Sequence, residues 1–130
     1  MTKKLLYFVI PLLLIIMSVS TSKAQTTATK ELRHVVLFKF KDSATPANIK
    51  TVETAFSALP QKIALIKGYE WGINNSPENL NQGLTHCFFV TFSSDKDRDA
   101  YIIHPDHVAF TKILSPFLDK VTVVDYWANK

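Results

Sequence analysis

The densest group of proton-exchanging side chains in this sequence is Tyr101-Ile102-Ile103-His104-Pro105-Asp106-His107. One phenol and two imidazoles stand beside a helix-starting proline, just ahead of the apolar Val108, Ala109 and Phe110. Imidazole titrates near neutrality and a phenol is a good hydrogen-bond donor, so Tyr101 and His107 are candidates for general acid–base chemistry. Pro105 opens a helix with His107 in its first turn, where the helix dipole and free backbone N–H groups disfavour a charged ring. A neutral imidazole is the form a general base needs. If Tyr101 donates a hydrogen bond to a carbonyl oxygen, His107 can take a proton from the adjacent carbon while charge develops on an enolate. Asp106 opposes this by favouring the charged ring, and the sequence does not rank the two effects. His104 reads most simply as a capping residue that bonds local backbone.

The elements that position these groups follow from periodicity. Leu32 to Phe40 alternates as a strand, with Leu32, His34, Val36, Phe38 and Phe40 on one face and Arg33, Val35, Leu37 and Lys39 on the other. Thr45-Pro46 opens a helix whose stripe is Ile49, Val52, Ala55, Phe56 and Leu59, ending at Pro60. Ile66 to Ile73 reads as a second strand, and Asn74 to Gly83 as a loop dense in Asn, Ser, Pro and Gly. Thr85 to Phe92 is a third strand, with His86, Phe88, Val90 and Phe92 on one face and Cys87, Phe89 and Thr91 on the other. Ser94 caps a short helix through Tyr101. Pro105 starts another, whose stripe holds His107, Phe110, Leu114 and Leu118, and Val121 to Trp127 is the last strand.

This order predicts an α+β, ferredoxin-like βαββαβ domain, an antiparallel sheet with helices on one face. The other face would carry Val35, Leu37, Cys87, Phe89 and Trp71, an apolar patch too large to leave in water. A second copy of the chain is expected to cover it, giving a homodimeric α/β barrel through the sheet face. On the helix side, His34, Val36 and Phe38 of the first strand, Phe56 of the first helix, His86 and Phe88 of the third strand and Phe110 of the last helix would line an apolar cavity. Tyr101 and His107 sit at its polar end, the usual make-up of a small-molecule site. As structural residues, His34 and His86 would instead be satisfied core histidines.

Other chemistries find less support. His104 and His107 are three apart, a spacing that could place them with His34 or His86 on a metal, but Pro105 interrupts the helix that such a pair needs. No structural-zinc spacing exists, so no metal is expected. The chain has no Gly-rich phosphate loop, serine-nucleophile motif or haem-attachment motif, and no cofactor is expected. Cys87 is the one cysteine, which excludes an intrachain disulfide framework.

Lys3 and Lys4, the apolar run Leu5 to Val19 and the Ser22-Lys23-Ala24 segment read as a signal peptide cut after Ala24, the apolar run being short of a membrane span. Residues 25–30 are a flexible lead-in and 31–128 the folded domain. The mature protein is expected to be exported, periplasmic or secreted, without stable membrane insertion. Three of the 15 basic residues belong to the leader, leaving 12 against 11 acidic ones. A net charge of +1 with no basic block does not recommend nucleic acid as a partner.

The run Leu32-Arg33-His34-Val35-Val36-Leu37-Phe38-Lys39-Phe40-Lys41, the pair Trp71-Gly72, Gly83-Leu84-Thr85-His86, the segment Tyr101 to Phe110 and the final Asp125-Tyr126 resemble the stress-responsive A/B barrel (Dabb) family. The resemblance covers nearly everything from Leu32 to Trp127. It implies a ferredoxin-like domain forming a dimeric barrel. It also implies kinship with stress-induced plant proteins and with plant polyketide cyclases that perform an aldol condensation without cofactor. In the cyclases a tyrosine and the second histidine of a His-Pro-x-His motif act on substrate, and these fall on Tyr101 and His107. The expected function is binding of a small apolar or aromatic ligand, with cofactor-free cyclase- or isomerase-like chemistry by these two residues. The alternative is a non-catalytic stress-response or oligomeric binding protein.

Overall fold

A computed structural model describes residues 30–129. The leader and nearly all of the lead-in lie outside the described residues. The elements are β1 (Leu32–Phe40), α1 (Pro46–Ser57), α2 (Leu59–Lys62), β2 (Gly68–Ile73), β3 (His86–Phe92), α3 (Asp95–Ile102), α4 (Pro105–Leu114) and β4 (Leu118–Trp127). They form one antiparallel sheet in the order β2-β3-β1-β4 with the helices on one face, the ferredoxin-like arrangement. Strict alternation in β1 produces the buried row Leu32, His34, Val36, Phe38, Phe40, which meets Val52 and Phe56 of α1 and Phe110 and Leu114 of α4 in the core.

The helix starts behave as their residues dictate. Thr45 makes a reciprocal capping box with Asn48, and the Ser94 hydroxyl accepts from the Asp97 backbone N–H. Three expectations need correction. Pro60 does not stop the chain but sits in the first turn of the short helix α2. Leu118 is not on the last helix, because α4 ends at Leu114, ahead of Pro116, and Leu118 begins β4. Trp71 does not face away from the helices: it pairs with Phe88 across β2–β3 and stacks on that ring at 5.6 Å on the helix side. The alternate positions Gly68, Glu70 and Gly72 take the outer face instead.

Candidate active site

Tyr101 and His107 are six residues apart, and in one continuous helix they would lie roughly 120° apart around the axis, on different faces. The break between α3 and α4 brings them together. Pro105 cannot continue α3, so the chain turns at Ile103 and His104 and restarts, leaving the two rings with centroids 4.4 Å apart. His104 fills the capping role expected of it: its Nδ1 accepts a hydrogen bond from the Asp106 backbone N–H at 3.2 Å.

His107 is half-buried, and its Nδ1 lies 2.9 Å from the carbonyl oxygen of Ile102. A carbonyl only accepts, so Nδ1 carries the hydrogen and Nε2 is left with a free lone pair. Burial lowers the pKa of this ring below the usual imidazole range; the Ile102 hydrogen bond opposes the shift, and His34 and His104 add to it. The ring thus favours the neutral state, as a base requires, although burial rather than the helix dipole is the leading cause. Tyr101 is fully buried, and burial pushes its phenol well above the usual tyrosine range. Its hydroxyl is buried and has no hydrogen-bond partner among the described residues.

Both rings line a cavity of about 410 Å³, together with His34, Val36, Phe38, Phe56, Phe110, Leu114, Leu118, Val121 and Val123; Ile102, Thr111 and Ser115 complete the wall. That volume suits a small ligand, and the lining is overwhelmingly apolar. The hydroxyls of Thr111 and Ser115 are turned to backbone carbonyls of their own helix, Val108 and Lys112. The polar groups free to meet a ligand therefore gather around Tyr101.

His86 and Phe88 do not belong to this lining. They share a sheet face with His34, but β3 runs antiparallel to β1, so His86 sits opposite Phe38 and His34 opposite Val90. Four strand residues, about 13 Å, separate the two histidines along the sheet. His86 is instead a satisfied core histidine. Its Nε2 is 3.2 Å from Oε1 of the buried Glu53, its Nδ1 is 2.8 Å from the Thr85 hydroxyl, and Trp71 lies parallel to its ring. A hollow of about 500 Å³ opens at that end of the sheet, around Leu37, Cys87 and the 74–85 loop, but both His86 nitrogens are already committed.

Sequence reasoning missed the residues that hold His34. Its Nδ1 is 2.7 Å from Asp125 Oδ1, and Arg98 Nη1 holds the second carboxylate oxygen at 2.5 Å. Only strand register could have revealed this, since Asp125 is the β4 residue opposite His34. Among the described residues no group of three or more His, Cys, Asp or Glu side chains is placed to hold a metal ion.

Residues 32–128 match the family model of the Stress responsive A/B Barrel Domain, Dabb. The stress-response A/B barrel domain-containing protein HS1 of Arabidopsis thaliana is 42% identical over 95 residues, covering 73% of this chain and 87% of that protein. Olivetolic acid cyclase of Cannabis sativa is 33% identical over 99 residues, covering 76% and 98%. Among solved structures, the hydroxynitrile lyase from Passiflora edulis superposes with a TM-score of 0.74 at 25% identity, covering 78% of this chain and 96% of that one. A dimeric protein of ferredoxin-like fold from Bacteroides fragilis gives 0.63 at 31% identity, covering 75% and 96%. The family match begins at the first residue of β1 and ends just beyond β4, and this chain belongs to the stress-responsive A/B barrel domain (Dabb) family.

Proposed function

We propose that this protein binds a small apolar or aromatic carbonyl compound in the cavity beside α3 and α4 and moves a proton on it without a cofactor. His107 Nε2 takes a proton from the carbon next to the carbonyl. The electron pair of that C–H bond passes into the enolate, whose oxygen is held by the Tyr101 hydroxyl, and return of the proton elsewhere restores His107. One observation carries the reading: a buried phenol with no partner among the described residues lies against an imidazole whose other nitrogen is already tied. An unpaired buried hydroxyl costs about 1–3 kcal/mol, and a ligand oxygen would remove that cost. The similarity to one protein named a cyclase and one named a lyase agrees with a chemical role for this cavity.

The test is exchange of the acidic C1 protons of 2-tetralone in D₂O, followed by proton NMR. Exchange should exceed that in free imidazole of equal concentration, fall by about 10²-fold or more in His107→Ala, and fall strongly in Tyr101→Phe. A wild-type rate no faster than imidazole would overturn the catalytic reading; saturable binding of 2-tetralone without exchange would then mark the protein as a binder.

We also propose that the protein works as an exported homodimer. Val35, Leu37, Phe89, Val124 and Tyr126 share the sheet face that carries no helix, and a neighbouring structure of this fold is dimeric. Support for export is the composition of residues 1–24. Intact-mass measurement of the secreted protein should find Gln25 at the N-terminus.

A further inference from the structure

The polar end of the cavity presents a defined set of donors and acceptors, and residues outside the cavity set it. The Asp125 carboxylate is ion-paired to Arg98 through one oxygen and faces His34 Nδ1 with the other. A carboxylate only accepts, so the hydrogen of neutral His34 sits on Nδ1. Its Nε2, like that of His107, is left as a lone pair with no hydrogen bond among the described residues, and both rings line the cavity. Tyr101, whose ring is 5.8 Å from that of His34, brings a buried hydroxyl with no partner among the described residues. Among the described residues no lysine or arginine lines the cavity.

We propose that the Arg98–Asp125 pair fixes the tautomer of His34 and thereby the class of ligand: a compound that gives a hydroxyl or N–H hydrogen to His34 Nε2 and a carbonyl oxygen to Tyr101. Phenolic and other hydroxylated ketones fit this description. Arg98 and Asp125 are positioning residues in this scheme. It rests on the cavity being the ligand site, as proposed above, but not on any reaction there.

The guanidinium also makes the scheme testable by one substitution. In Asp125→Asn, Arg98 still demands an acceptor, so it takes the amide oxygen and turns the NH₂ group toward His34. His34 Nδ1 must then accept, and the hydrogen moves to Nε2. Two probes that differ by one methyl, which removes the donor, 4-hydroxyacetophenone and 4-methoxyacetophenone, should separate by about tenfold in Kd on the wild-type dimer, the worth of one buried hydrogen bond. The ratio should fall to near one in Asp125→Asn, where either oxygen can accept from Nε2–H. The ¹⁵N signals of His34 should report Nδ1–H in the wild type and Nε2–H in the variant.

A wild-type His34 carrying its hydrogen on Nε2, a wild-type preference for the methoxy probe, or a ratio unmoved by Asp125→Asn would each overturn the proposal. The wild-type spectrum and ratio decide it even if the variant does not fold. Failure of 2-tetralone exchange with these results intact removes the chemistry and keeps the ligand class; exchange without a donor preference does the reverse.

Discussion

Tyr101 is where stability and function pull apart. Its ring is well packed, 5.0 Å from Phe92 and 4.4 Å from His107, so the aromatic surface helps hold the core. Its hydroxyl does the opposite, because a buried donor without a partner has given up water for nothing. Tyr101→Phe is therefore expected to raise the unfolding free energy of the unliganded protein, by up to about 1 kcal/mol, while weakening binding and exchange of 2-tetralone. Chemical denaturation beside the exchange assay checks both halves; a destabilised variant would mean that the hydroxyl is satisfied in the free protein. His107 supplies a pH signature. Its folded pKa lies below the unfolded imidazole value near 6.5, so the unfolded chain binds the proton more readily than the folded one. Stability should thus be undiminished by this group above about pH 6.5 and decline as pH falls through that value and the lower folded one. Exchange should be flat at neutral pH and lost on the acid side of the same window. His107→Ala should abolish that acid limb of the exchange profile, along with the activity.

The break between α3 and α4 is the element that builds the site, and His104 and His107 divide its work. One caps the helix and the other faces the cavity. His104→Ala should cost about 0.5–1 kcal/mol of stability through the lost cap and leave 2-tetralone exchange within about twofold of wild type. A large loss of exchange would mean that the cap itself sets the His107 ring. This division was legible from Pro105 alone, just as Thr45-Pro46 and Ser94 announced the other helix starts and strict alternation gave the phase of β1 and β3. Local signals ended where register began. Gly68 and Gly72 leave β2 few side chains on one face, so the phase that turns Trp71 toward Phe88 emerges only from its pairing with β3. The shared face of His34 and His86 was legible too, but their placement at opposite ends of the sheet depends on antiparallel pairing with β1. The Asp125 tether joins positions 91 residues apart, and no local pattern encodes it.

For the molecule as a whole, β4 links assembly to the site. Its residues alternate between two tasks: Val121, Val123 and Asp125 face the cavity side, while Thr122, Val124 and Tyr126 face away from the helices beside Val35 and Leu37. In a single chain Val124 and Tyr126 remain 50% and 45% exposed. Burying such a face against a second copy is worth about 25 cal/mol per Å² of apolar surface, so a charge at its middle should oppose association strongly. Val124→Asp is expected to turn a dimer into a monomer by light scattering, and to remove the rise of Tm with protein concentration that a dimer shows. Because β4 is an edge strand with its outer face then bare, the same substitution should also weaken 2-tetralone binding, although Val124 touches no part of the cavity. A monomer that binds 2-tetralone as tightly as wild type would show that β4 holds its cavity side without the partner, and that dimerisation serves stability alone. A dimer that survives Val124→Asp would place the contact elsewhere on the molecule.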